Sequence, residues 1–113
     1  HTVMAHFIYP TRHEMELIKE RGVTIAHCPQ SNGNVAAGIP PIRQMLDLGV
    51  KVGLGSDIAG GYSVSIFRAM SEAVYLQTPV ASKRKEGFLP FRTGILLSWH
   101  KGRWTVLWKS RQL

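Results

Sequence analysis

Short apolar runs alternate along the chain with segments whose apolar residues recur at helical spacing. The runs are rich in strand-forming residues, whereas the helical segments place apolar residues three or four positions apart. The pattern predicts strands at residues 2–8, 23–26 and 50–54. It predicts helices at residues 11–21, about 41–49 and about 63–76.

Several boundaries carry helix start and stop signals. Thr11 and Glu14 have the spacing of a capping box, so the first helix should begin there. Pro41 suits the first turn of the second helix, and Gly49 suits its end. Pro79 should close the third helix, because proline lacks the amide hydrogen that an interior position needs.

Two connections are predicted to be loops. The segment 29–34 is polar and follows Pro29, so it should leave the second strand as an irregular loop. The segment 55–61 is rich in glycine and should form a second loop after the third strand.

The order β-α-β-α-β-α with short connections predicts an α/β fold with parallel strands. An open doubly wound sheet and part of a closed (β/α)₈ barrel both fit this order. In both architectures ligands bind at the carboxyl ends of the strands. His6, His27 and Asp57 stand at those three ends, which indicates an active site there.

Each of these residues also has an ordinary structural explanation. A lone His6 or His27 could be a buried imidazole bonded to a backbone carbonyl. Asp57 could be a turn or capping residue, but a carboxylate there can also bind a cation or take a proton from water. The nearby glycines match no phosphate-binding pattern. Cys28, without a C-x-x-C partner, is typical of a small core residue.

The composition is that of a globular protein, but the charge is unevenly distributed along the chain. The 113 residues are 44% hydrophobic, as in a single globular domain. The net charge of +7 arises within residues 81–113, which hold eight Lys/Arg and one Asp/Glu, whereas residues 1–80 hold six of each. No apolar run is long enough to span a bilayer. The single cysteine suits a reducing compartment, so we expect a cytoplasmic protein without a membrane partner.

Three segments together resemble a known family. Residues 2–6 read Thr-Val-Met-Ala-His, residues 25–29 read Ile-Ala-His-Cys-Pro and are followed by Ser31-Asn32, and residues 52–57 read Val-Gly-Leu-Gly-Ser-Asp. Their sequences and spacings are similar to the last three strands of the deaminase branch of the metal-dependent amidohydrolase superfamily. The loop that follows, Ile-Ala-Gly-Gly-Tyr-Ser, resembles the guanine deaminases within that branch.

The resemblance implies a zinc-dependent (β/α)₈ barrel that hydrolyses guanine to xanthine and ammonia in purine catabolism. It implies a small-molecule purine substrate and a homodimeric parent enzyme. Asp57 matches the residue that binds the metal and accepts a proton from water. His6 matches a histidine that lies beside the water and contacts the substrate. His27 matches a histidine that supports the site without binding the metal.

The chain departs from the family pattern in its ligand set. The first-strand His-x-His pair, the fifth-strand histidine and the glutamate that moves protons to the purine are absent from these residues. Residues 1–93 therefore match the sixth to eighth β/α units of an incomplete barrel, and Asp57 is the one metal ligand retained. His1 suggests that the start of the chain was cut away or never included. We expect the chain to be inactive by itself.

Residues 94–113 are basic and carry Trp99, Trp104 and Trp108, and they do not resemble the family. They could bind nucleic acid, lie at a membrane surface, or be read out of frame. Synonymous codons read one base later allow AFYLAGTRGGGQFCGNRGNF, which resembles the continuation of guanine deaminases. We therefore expect a frameshift and do not expect a nucleic-acid partner. A transcript that encodes this tail without a nearby insertion, deletion or missed splice would contradict that expectation.

Two alternatives to an enzyme segment stay open from the residues. The first is a small α/β module whose basic aromatic tail binds nucleic acid, which a salt-dependent shift on DNA or RNA would support. The second is a complete open α/β domain. The second is disfavoured because three strands and three helices would leave exposed sheet edges.

Overall fold

The computed structural model describes residues 2–82, with side chains as far as residue 77, and the backbone of residues 94–100 and 103–109. Two sheets and four helices are present in these ranges. In chain order they are β1 (Val3–Ala5), α1 (Arg12–Glu20), β2 (Thr24–His27), α2 (Pro29–Asn34), α3 (Ile42–Leu48), β3 (Lys51–Leu54), α4 (Ile66–Ser82), β4 (Gly94–His100) and β5 (Arg103–Lys109).

The first sheet is parallel and has the order β1-β2-β3, the same as the order in sequence. Ile25 in the middle strand pairs with Met4 on one side and with Val52 on the other. Parallel neighbours require a crossover, and α1 and the α2–α3 segment supply these crossovers. The predicted α/β class with parallel strands is confirmed.

The capping box at the start of α1 is present as predicted. The Glu14 amide donates to the Thr11 hydroxyl at 3.2 Å, and the Thr11 amide donates back to the Glu14 carboxylate at 2.6 Å. Two backbone donors of the first turn are satisfied in this way. The Thr11 hydroxyl also donates to the Glu14 carboxylate, at 2.8 Å, and the bonds from the Thr11 amide and hydroxyl hold the pKa of Glu14 below its ordinary value.

The hydrophobic core lies between the sheet and helices α1 and α3. Ile25 of β2 and Met45 of α3 are completely buried, and both pack with residues of α1. The core cluster comprises Met15, Ile18, Ile25, Ile42, Met45 and Val50. This packing fixes the middle strand, which in turn positions the carboxyl ends of its neighbours.

Segment 29–34 was predicted to be a loop, and that prediction is wrong. It forms helix α2, which begins at Pro29 and packs against α4. Gly33 lies against Leu76 of α4, so that a Cβ added there would be 3.8 Å from the Leu76 Cδ1 atom. The weak helix propensity of these polar residues is overridden by tertiary contacts.

The third predicted helix and the first predicted strand also differ in their limits. Helix α4 begins at Ile66 and continues through Pro79 to Ser82, so the prediction that Pro79 closes it is wrong. Proline lacks the amide hydrogen for one backbone bond of the helix, yet α4 continues for three residues beyond it. Strand β1 stops at Ala5, because His6 and Phe7 adopt left-handed backbone angles that a strand does not allow.

The carboxyl-terminal part contributes an antiparallel pair of strands for which the sequence pattern predicted no element. Gly94 pairs with Lys109, and His100 pairs with Arg103. The predicted domain boundary at residue 93 lies outside the described residues. Within the described ranges, none of the helices combines the length and the apolar character that a membrane crossing requires.

Candidate active site

The structure brings two of the three predicted site residues together. His6 directly follows β1, His27 ends β2, and Asp57 lies in the loop after β3. Because the three strands are parallel neighbours, their carboxyl ends meet at one edge of the sheet. The Nε2 atom of His6 lies 3.7 Å from the Oδ2 atom of Asp57.

The backbone at this edge is held in an uncommon conformation. Four non-glycine residues here have positive φ: His6 at 66°, Phe7 at 47°, Asp57 at 44° and Ala59 at 90°. Such angles are disfavoured by about 1–3 kcal/mol each and occur mainly where surrounding structure imposes them. Their concentration around His6 and Asp57 supports the interpretation of this edge as a functional site.

The His6 side chain is fixed from two directions. Its amide donates to the Ala26 carbonyl at 3.0 Å, which ties the residue to β2. Its ring Nδ1 lies 2.8 Å from the Oδ1 atom of Asn32 on α2. The side chains of His6 and Asp57 are each 39% exposed, so a small molecule can reach both.

Asn32 contacts the candidate site residue His6, and reasoning from single residues did not predict this contact. The segment 29–34 was predicted to be a loop, so its side chains had no predicted direction. In the structure Asn32 is 1% exposed and reaches His6 from α2. Its one sequence signal is the Ser31-Asn32 pair of the family motif.

A tight turn shapes the position of Asp57. The Gly61 amide donates to the Asp57 carbonyl at 2.6 Å, which closes the turn. A Cβ added to Gly60 would lie 2.8 Å from both the Asp57 Oδ2 and the Ser31 Oγ atoms. The Asn34 side-chain amide donates to the Gly60 carbonyl at 3.0 Å and links the turn to α2.

His27 lies behind this surface. It is 1% exposed, and neither ring nitrogen has a hydrogen-bond partner among the described residues. Burial, with a smaller contribution from the nearby His6, lowers the pKa of His27 to about 4. His27 is therefore neutral at neutral pH, and its supporting role stays a prediction.

The donor atoms at this edge fit one corner of a metal site. Asp57 supplies a carboxylate, which is a suitable zinc ligand. Within residues 2–82, however, no three His, Cys, Asp or Glu side chains come together as a possible metal site. Burial and the nearby Asp57 carboxylate raise the pKa of the Cys28 thiol, which disfavours the thiolate that would bind a metal. The described residues alone therefore do not form a complete zinc site.

The chain matches the sequence model of the amidohydrolase family over residues 1–94. Guanine deaminase from Mus musculus is 47% identical over 73 residues, which are 65% of this chain and 16% of that protein. A probable guanine deaminase from Schizosaccharomyces pombe is 44% identical over 72 residues, which are 64% of this chain and 14% of that protein.

Two solved structures share the fold. Guanine deaminase from C. acetobutylicum, with guanine bound in its active site, superposes with a TM-score of 0.71 and 42% identity, over 78% of this chain and 22% of that one. An adenosine deaminase from Xanthomonas campestris with bound zinc gives a TM-score of 0.66 and 30% identity, over 71% of this chain and 18% of that one.

The aligned part of the chain thus spans between 14% and 22% of the length of these relatives. The family match covers the three strands, the helices between them and all three predicted site residues. The parallel sheet, with the candidate side chains at its carboxyl edge, agrees with that match. The chain belongs to the amidohydrolase family.

Proposed function

We propose that this chain provides part of the active site of a zinc-dependent guanine deaminase, which converts guanine and water to xanthine and ammonia. The observation that carries the proposal is the approach of His6 to Asp57 at the carboxyl edge of the sheet. Two relatives named guanine deaminase at 44–47% identity and the similar structure with bound guanine support the substrate. The alternative of a nucleic-acid-binding module gains no support from these comparisons.

The three strands correspond in this proposal to the sixth, seventh and eighth strands of a (β/α)₈ barrel. Their strict sequential order supports it, because successive right-handed crossovers keep the helices on one face, as a barrel requires. The other β/α units and the other metal ligands would come from outside residues 1–93. A homodimeric assembly and a place in purine catabolism belong to the same proposal.

Asp57 would hold the metal and accept a proton from the attacking water. Zinc, when bound, lowers the pKa of water to about 7 and so supplies the nucleophile at neutral pH. His6, with its ring 3.7 Å from the carboxylate, would contact the purine and move a proton at the leaving amine. The partial exposure of both side chains leaves them open to a purine ring.

A chimaera provides the most direct test. Residues 2–77 replace the matching segment of the C. acetobutylicum enzyme, and the purified protein is assayed with guanine and with adenosine. We expect zinc-dependent release of ammonia from guanine and none from adenosine. Activity on adenosine alone would assign the chain to a different deaminase, and a folded, zinc-loaded but inactive chimaera would refute the proposal.

Two substitutions in the chimaera separate catalysis from folding. Asp57→Asn removes the proposed metal ligand and should reduce kcat/KM by at least about a thousandfold, the scale on which key catalytic groups act. Asp47→Asn is the matched control, since Asp47 is an exposed carboxylate that pairs with Arg43 on α3. It should leave activity unchanged.

A further inference from the structure

Asn32 and His6 are hydrogen-bonded to each other but differ in burial. Asn32 is almost completely buried on α2, whereas the His6 side chain is 39% exposed at the site. The hydrogen bond between them, 2.8 Å from Oδ1 to Nδ1, connects the partly exposed His6 ring to a buried side chain of α2. We propose that Asn32 is the positioning residue that sets the orientation and the tautomer of the His6 ring.

The chemistry of the two atoms determines the tautomer. An amide oxygen can only accept a hydrogen bond, so the Nδ1 atom of His6 must carry the hydrogen. In the neutral ring the Nε2 atom then carries a lone pair and no hydrogen. Asn32 therefore presents a bare Nε2 atom to the site.

The distance to Asp57 agrees with this assignment. A ring N–H facing a carboxylate normally closes to about 2.7–2.9 Å. The Nε2 and Oδ2 atoms are instead 3.7 Å apart, outside hydrogen-bond range. Two acceptor atoms that face each other keep such a separation, because neither has a hydrogen to donate to the other.

Asn32 is itself held firmly enough to act in this way. The backbone amide of Asn32 donates to the Cys28 carbonyl at 3.0 Å, and the backbone carbonyl of Asn32 accepts from the Ala37 amide at 3.0 Å. Burial excludes water that could compete for its side-chain oxygen. Residue His6 is tied in turn to Ala26 through its backbone. The ring thus has one favoured orientation.

A reversed Asn32 amide is the competing arrangement. The side-chain nitrogen would then donate to Nδ1, and the hydrogen of the ring would lie on Nε2. In the structure the Asn32 nitrogen has no hydrogen-bond partner among the described residues. The two arrangements predict opposite tautomers, so a measurement of the tautomer distinguishes them.

The catalytic meaning of this pairing rests on the proposed function, since a bare Nε2 atom can accept a proton only if a substrate reaches it. The tautomer itself does not depend on a metal or on a substrate. Failure of the chimaera to deaminate guanine and failure of this inference would therefore appear in separate experiments.

The test is long-range ¹H–¹⁵N NMR on the full 113-residue chain with ¹⁵N-labelled histidine rings. The measurement is made without metal, at a pH well above the ordinary imidazole pKa of about 6.5. The His6→Gln variant identifies the signals of residue 6. We expect these signals to show hydrogen on Nδ1. A ring with hydrogen on Nε2 would overturn the proposal, as would an unfolded chain with all rings alike.

Variants at position 32 test whether Asn32 causes the tautomer preference of the His6 ring. Asn32→Leu keeps the shape without the acceptor, and the ratio of the two tautomers should shift about fivefold toward Nε2–H, the effect of one ordinary hydrogen bond. Asn32→Asp keeps an acceptor oxygen in place and should restore the Nδ1–H form. If the leucine variant does not fold, the aspartate variant decides: an Nε2–H ring there would refute the proposal, and an Nδ1–H ring would support it.

Asn34 offers a matched control on the same helix. Its side-chain amide bonds the Gly60 carbonyl and not the His6 ring. Asn34→Leu should leave the tautomer of His6 unchanged. An equal shift in the Asn34 and Asn32 variants would mean that any disturbance of α2 alters the ring, and it would contradict a specific role for Asn32.

Discussion

Gly60 lies against the carboxylate of Asp57 with no room for a side chain between them. A Cβ at Gly60 would be 2.8 Å from Oδ2, closer than ordinary van der Waals contact. The same Cβ would be 2.8 Å from the Ser31 hydroxyl, so it could not escape to that side. The glycine therefore lets the turn close over the carboxylate.

Gly60→Ala should impair the site more than the fold. The added methyl group must displace Asp57 or Ser31, and a shift of about 1 Å in a reacting group can reduce activity about a hundredfold. We expect a loss of ten- to about a hundredfold in kcat/KM for guanine in the chimaera. Gly53→Ala is the control, because a Cβ at Gly53 meets nothing within 4 Å. Equal losses in the two variants would contradict the steric explanation.

The isolated chain should neither retain zinc nor deaminate guanine. The described residues bring together too few ligands for a closed metal site, and one carboxylate does not hold zinc against water. Zinc measured after gel filtration and a guanine-to-xanthine assay on the purified chain check this expectation. Stoichiometric zinc that is lost in Asp57→Asn, or turnover of guanine, would show that the chain is sufficient by itself.

The stability of the chain should fall as the pH decreases from about 6.5 to about 4. Burial lowers the pKa of His27 to about 4, so in this range the unfolded state binds a proton that the folded state does not. The shift corresponds to a loss of up to about 3 kcal/mol, complete near pH 4. Urea unfolding of the dilute chain at pH 7 and pH 4.5 measures the difference.

Histidine variants identify the source of that pH dependence. His27→Gln should flatten the change in free energy of unfolding between pH 7 and pH 4.5, whatever its effect at neutral pH. His13→Gln should leave this change in the free energy of unfolding as it is, because His13 is exposed on α1. A pH dependence that survives in the His27 variant would assign the effect to other groups.

Thr11→Ala should destabilise the chain by about 1 kcal/mol, the usual effect of removing a helix cap. The substitution removes the hydroxyl that accepts from the Glu14 amide at the start of α1. Thr11→Ser keeps the hydroxyl and should lose much less. Urea unfolding at pH 7 compares the two variants. Equal losses of the free energy of unfolding would indicate that the Thr11 methyl group stabilises the chain and the capping hydroxyl does not.

Much of the sheet could be predicted from the sequence, because each strand is a short apolar run with turn signals on both sides. The placement of His6, His27 and Asp57 at strand ends followed from the same pattern. The parallel order predicts that His6 and Asp57 share one carboxyl edge, but β2 lies between their strands, so their approach also depends on the residues that follow β1 and β3.

Helix α2 and its contribution to the site could not be predicted in this way. Its residues are polar with weak helix propensity, and the helix forms because it packs against α4. The Asn32 contact with His6 depends on that packing and leaves no trace in local periodicity. Likewise, the left-handed angles of His6 and Asp57 are imposed by surrounding structure and not by residue type.

Strand β1 forms one edge of the parallel sheet. Its three residues are exposed, with Val3 66% exposed, and within residues 2–82 β2 is the only strand that pairs with it. An open strand edge presents unpaired backbone N–H and C=O groups, so it can pair with a strand from another segment or another chain. In the proposed barrel the fifth strand would cover this edge, and a second copy of this chain would compete with it. The outcome depends on concentration, so slow synthesis together with the rest of the proposed barrel should favour pairing with the fifth strand.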